Sequence, residues 1–156
     1  MNEVKISVDA AVFKEPEGVG FGIVIRDSDG LLVTAKTLFN SQLVAPLMAE
    51  ALGIKEALSW CDQVQGERII VETDCLAAAQ AIRSSCPMSS HFGLVVEECR
   101  SLLKRLQKIL LRFIKRSANM IAHSLARGSC IYPDRIFDRS FVTIQVQNCI
   151  ELDLSH

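Results

Sequence analysis

The spacing of apolar residues first changes period at Pro46, and that change constrains the fold more than any other feature. Before it, Val4, Ile6 and Val8 alternate with Lys5, Ser7 and Asp9, the two-residue period of a strand. Val19 to Ile25 and Leu31 to Phe39 read as two further strands. Asp29-Gly30 between them is a hairpin signal because glycine accepts a positive φ, and Pro16 with Gly18 marks the preceding turn. After Pro46, Leu47, Ala51, Ile54, Leu58 and Cys61 share one arc at 100° per residue, which predicts an amphipathic helix. Arg68 to Asp74 is a short apolar strand, Leu76 to Arg83 a helix ended by Pro87, and about His91 to Leu106 a second helix. Lys108 to Arg116 is β-branched and aromatic enough for a fifth strand. Ala118 to Arg127 predicts a last helix, with Ala118, Ile121 and Leu125 facing inward and Gly128 at its end. The order βββ-α-β-α(α)-β-α predicts an α/β fold, a mixed sheet with helices on its faces.

At 156 residues the chain suits one domain. Residues 1–128 carry the pattern above, and residues 129–156 form a C-terminal extension packed on it or trailing it, in which Val142, Ile144 and Val146 alternate like a small strand. With 49% hydrophobic residues the composition excludes a disordered chain. No apolar run approaches a membrane span, and the first residues lack the long apolar stretch of a signal peptide. Cys61, Cys75, Cys86, Cys99, Cys130 and Cys149 are scattered without a zinc-ligand spacing, so free thiols are expected. An intracellular, reducing compartment (nucleus or cytoplasm) and no membrane partner follow as expectations.

The net charge is −1, yet Arg100, Lys104, Arg105, Lys108, Arg112, Lys115, Arg116 and Arg127 form a segment with no acid among them. That segment carries +8 and leaves −9 to the rest of the chain. Such asymmetry can mark a surface that faces phosphate, although on charge alone a solvated helix face is the simpler account.

Three acids stand at element ends. Asp9 closes the alternation of the first strand, Asp74 closes the fourth strand, and Glu50 falls in the first turn of the long helix. Glu50 lies about 60° from the centre of that helix's apolar stripe, near the core boundary. Asp74 taken alone reads better as a helix N-cap, and Glu50 equally as a residue favoured by the helix dipole. If the first and fourth strands are neighbours and the helix covers their ends, the three converge. Crowded carboxylates repel and hold their protons more tightly unless a cation joins them. Mg²⁺ or another hard divalent ion, which favours oxygen ligands, resolves that repulsion and suits phosphodiester hydrolysis.

Taken together, VDAAVF (8–13), GVGFGIVIRDSDG (18–30), MAEALGIKEAL (48–58), VETDCLAAAQAI (71–82) and RSANMIAHSLAR (116–127) resemble the ribonuclease H family. The resemblance is nearest to the reverse-transcriptase-like domains, derived from retroelements, that are abundant in plants. It implies a ribonuclease H-like fold with a five-stranded sheet in the order 3-2-1-4-5. It also implies cleavage of the RNA strand of RNA–DNA hybrids with Mg²⁺ or Mn²⁺, Asp9 bridging two ions while Glu50 and Asp74 hold one of them. The family's fourth acid departs here: its pattern Asn-x-x-Ala-Asp-x-Leu-Ala reads Asn119-Met-Ile-Ala122-His123-Ser-Leu125-Ala126. His123 is then either a ligand of a weakly held second ion, better suited to Mn²⁺ than Mg²⁺, or a surface bystander. The histidine that many cellular members carry before the last helix is missing, and so is the basic protrusion of some bacterial members. Lys115 and Arg116, at a strand end beside the expected site, are the candidates to contact nucleic acid. A catalytically impaired nucleic-acid-binding module of the same fold is the alternative reading, and a domesticated protein-interaction domain is a third.

Overall fold

The structure, a computed structural model, describes residues 2–138. Strands β1 (Glu3–Lys14), β2 (Glu17–Arg26) and β3 (Leu32–Asn40) form an antiparallel meander. Helix α1 (Pro46–Trp60) follows, then β4 (Arg68–Thr73), α2 (Leu76–Arg83), α3 (His91–Arg105), β5 (Ile109–Phe113), α4 (Met120–Gly128) and β6 (Ile136–Asp138). The turn before β3 forms as its Asp-Gly step predicts: Gly30 has φ +80°, and Asp27 Oδ1 accepts hydrogen bonds from the amides of Asp29 and Leu31.

β4 joins β1 in parallel and β5 joins β4 in parallel, so the sheet runs β5-β4-β1-β2-β3-β6. This is the expected order with a sixth strand added where five were expected. β6 pairs with β3 through Lys36↔Ile136 to Thr34↔Asp138, and Phe137 is buried against Val24, Ala35 and Leu125. Three residues are too few to show a period, so the sequence carried no strand signal there. The alternation at Val142, Ile144 and Val146 lies outside the described residues, as does Cys149.

Alternation sends Ile6, Val8, Ile23, Ile25, Ile69, Val71, Ile109 and Leu111 to one face, where Ile54 and Leu58 of α1, Ile82 of α2 and Val96 of α3 complete the main core. Helix α4 covers the opposite face, with Ala122 and Leu125 against Val24 and Ala35. Ala118, expected to face inward, is exposed in a short 3₁₀ turn, and the inward residues of α4 are Ala122, Ser124, Leu125 and Ala126. Free thiols are found at Cys61, Cys75, Cys86, Cys99 and Cys130. Among the described residues no helix is long and apolar enough to cross a membrane.

Two glycines of β2 set how near α4 comes. A Cβ at Gly22 would sit 2.3 Å from the Ala122 carbonyl oxygen and 2.6 Å from the Ala126 nitrogen. One at Gly20 would meet Ser129 Oγ at 1.7 Å. The helix backbone thus lies directly on the strand, and the glycine run of β2 serves close packing. Gly22→Ala is expected to destabilise the fold by about 1–3 kcal/mol through overpacking. A urea denaturation midpoint that stays at the wild-type value would refute this.

Candidate functional site

The site forms where β1 and β4 part. Their parallel pairing ends at Val8↔Thr73, so the next residue of each strand, Asp9 and Asp74, flanks the point of separation. β1 continues, paired with β2 through Asp9↔Gly22, while β4 turns into α2. By alternation from Val8, Asp9 belongs to the α4 side of the sheet, whereas Glu50 rides on α1 on the other side. They can meet because β4 has ended and no strand lies between them.

Small residues bring α1 close enough. Ala49, Gly53 and Ala57 repeat every four positions and are buried, and a Cβ at Gly53 would lie 3.1 Å from the Phe21 ring and 3.4 Å from Val8 Cγ2. Glu50 is the fifth residue of α1, past the first turn where the sequence had placed it, so the helix dipole contributes little to its position. Asp74 does not cap α2: the N-cap is Cys75, with no side-chain cap, and the Cys75 amide donates to Thr73 Oγ1 at 3.1 Å. Both carboxylates remain available to the site.

Asp9, Glu50 and Asp74 each offer an oxygen, and the three atoms lie within 4.8 Å of one another. Asp9 is 0% exposed and the Asp74 side chain 2%. Asp9 Oδ1 and Asp74 Oδ2 are buried without a hydrogen-bond partner. Burial, reinforced by the charges of Asp9 and Asp74, pushes the Glu50 carboxyl up to about 9. Asp74 is raised as well, first by burial and then by Asp9, against the opposing pull of Asn119, Arg116 and His123. A buried carboxylate oxygen left unpartnered is costly. Three hard oxygen donors in this state fit a divalent cation of the Mg²⁺ or Mn²⁺ type.

His123 is no bystander. Its Nδ1 lies 2.8 Å from Asp9 Oδ2, and its side chain is 16% exposed. One turn earlier, buried Asn119 donates from Nδ2 to the Val8 carbonyl at 3.0 Å, tying α4 to β1 beside Asp9. Asn119 is the residue the sequence reading left without a role. The signal was its i, i+4 spacing to His123, which puts both on one side of a helix.

The basic segment does not survive as a continuous surface. Arg100 donates to the carbonyls of Ala81, Ile82 and Cys86 and pairs with Glu97, fastening α3 to the end of α2. Arg105 pairs with Asp62, Lys108 donates to the Val64 carbonyl, and Arg112 holds Glu72 at 2.6 Å. Arg116 differs: its Nε lies 3.6 Å from Asp74 Oδ2 while its side chain remains 62% exposed. Lys115, also exposed, precedes it.

The model of a family described as reverse transcriptase-like matches residues 7–129. Among solved structures, RNase H1 from the halophilic archaeon Halobacterium salinarum superposes with a TM-score of 0.73 at 18% identity, over 83% of this chain and 98% of that one. The N-terminal RNase H domain of a Mycobacterium tuberculosis protein gives 0.71 at 16% identity, over 85% and 96%. LC11-RNase H1, isolated from compost by a metagenomic approach and solved in complex with an RNA/DNA hybrid, gives 0.66 at 16% identity, over 78% and 92%. At such identities the likeness shows a shared fold. No curated protein matches the chain in sequence.

The raised Glu50 carboxyl carries a stability consequence. Its pKa is higher in the folded protein than in the unfolded chain, so its stabilising contribution is complete below about 4.5 and is lost as pH rises through about 9. In chelator, thermal stability is expected to fall across that window, and Glu50→Gln to raise the melting temperature at pH 8 by roughly 3 °C or more. Melting curves of the two proteins that run parallel from pH 5 to 9 would contradict this origin.

Proposed function

This chain belongs to the reverse transcriptase-like family, and we propose that it is a metal-dependent endoribonuclease acting on the RNA strand of RNA–DNA hybrids. The observation that carries the proposal is the convergence of Asp9, Glu50 and Asp74, with a buried oxygen that lacks a hydrogen-bond partner on two of them. The hybrid bound by LC11-RNase H1, which shares the fold, supports the choice of substrate.

In this reading Asp9, Glu50 and Asp74 hold the ion, Mg²⁺ or Mn²⁺, through oxygen donors. That ion supplies Lewis-acid polarisation of the scissile phosphodiester. Arg116, beside the cluster and open to solvent, offers a forked donor set to phosphate oxygens, and Lys115 adds a mobile positive charge. Asn119 keeps β1 and α4 in register, so that Asp9 is presented at one depth. His123 brings no negative charge at the fourth position, and turnover is weakened for that reason. The free cysteines accord with a reducing intracellular compartment, nucleus or cytoplasm, which forms part of the proposal together with a 1–128 domain and a 129–156 extension.

Purified full-length chain with Mn²⁺ is expected to cut the RNA of a labelled hybrid, and Asp9→Asn to cut it about 100-fold more slowly, close to 2.7 kcal/mol of barrier. A hybrid left intact at high enzyme concentration would sink the proposal.

A second reading, a nucleic-acid-binding module with impaired catalysis, is favoured by one observation, the seating of His123 on Asp9. His123→Asp separates the two. A live site should gain more than about tenfold in Mg²⁺-dependent cleavage, near 1.4 kcal/mol. An unchanged rate favours the module. Both readings expect hybrid affinity to fall with salt, and Arg116→Ala to reduce the log–log slope by about one. A slope indifferent to that substitution would remove Arg116 from the interface.

A further inference from the structure

We infer that the acidic centre holds one divalent ion, on Asp9, Glu50 and Asp74, and that His123 closes the place of a second by holding Asp9 Oδ2. The inference rests on the metal-centre reading above and concerns the number of ions, which that reading leaves open.

Two ions about 3.5–4 Å apart need a carboxylate that presents one oxygen to each. The two oxygens of Asp9 have different surroundings. Oδ1 is buried without a hydrogen-bond partner, while Oδ2 is 2.8 Å from His123 Nδ1. A hydrogen bond along that contact occupies both the oxygen and the ring nitrogen that a second ion would need, whichever tautomer the ring adopts. Among the described residues no further acid, cysteine or histidine joins the cluster to complete a second coordination sphere. A lone imidazole nitrogen is a poor sole protein ligand for a hard cation that prefers oxygen.

Charge argues the same way. One divalent ion among three carboxylates leaves a net negative site, whereas two would leave it positive beside the Arg116 guanidinium. The backbone that carries the imidazole is also held in place: Asn119 ties α4 to the Val8 carbonyl, and Gly22 lets the helix rest on β2.

Mn²⁺ binding to the full-length chain, counted by calorimetry and by native mass spectrometry, tests this without any cleavage assay. The wild type is expected to bind one ion. His123→Ala should also bind one, with affinity within about threefold, because the imidazole is not a ligand. His123→Asp should bind two. Two ions on the wild type, or fewer on His123→Ala than on the wild type, would overturn the inference. So would a single ion on a folded His123→Asp. Should that variant fail to fold by circular dichroism, the first two counts still decide. No binding by the wild type would overturn the metal-centre reading itself, and the ion count with it.

Discussion

Three carboxylates pressed together at the parting of two strands set the terms for the rest of this molecule. The side chain of Asp9 is wholly buried, that of Asp74 nearly so, and burial together with their charges holds the Glu50 proton to about 9. Such an arrangement works against folding at neutral pH, because each ionised group raises the cost of ionising the next. A fold keeps it only if stability elsewhere carries it. Here that support is the double-sided core: α1, α2 and α3 on one face of the sheet and α4 on the other.

The same packing delivers the acids to one point. Gly53 and its alanine neighbours lower α1 onto Phe21 and Val8, and Gly22 lowers α4 onto β2. Neither glycine has a positive φ; a methyl group at Gly22 would collide with the α4 backbone, and one at Gly53 would press tightly on the Phe21 ring. The end of β4 then lets a side chain of α1 reach one on the α4 side of β1. Within residues 100–127, Arg100, Arg105 and Arg112 pair with acids elsewhere in the molecule, whereas Arg116 lies beside the acidic centre with Lys115 as its neighbour.

Much of this was legible from residue order. The two-residue period before Pro46 and the helical period after it marked every element from β1 to α4, with Leu76–Arg83 read to the residue. Asp9 stood out because an acid in an apolar strand has few bland explanations, whereas Glu50 and Asp74 each had one and stood out through their expected convergence with Asp9. β6 was illegible because it is three residues long and is held by pairing with β3, about a hundred residues away in sequence, where Thr34 Oγ1 donates to the Phe137 carbonyl and Thr37 Oγ1 accepts from the Arg135 amide just before the strand. Of the residues expected inward on α4, Leu125 is buried and Ile121 packs against the same cluster, whereas Ala118 is exposed because it lies in a 3₁₀ turn at Arg116–Ala118 before the helix begins.

The sequence by itself determined the succession of elements, the pattern of buried positions and the identity of the acids, since periodicity and residue chemistry are local properties. Tertiary structure alone decided what those groups meet. It turned His123 from an ambiguous helix residue into the partner of Asp9 Oδ2, gave Asn119 the Val8 carbonyl, and divided the cations between internal pairs and the site. Each outcome depends on a separation of a few ångströms between residues far apart along the chain. No local preference specifies such a distance; only the packing of one element on another does.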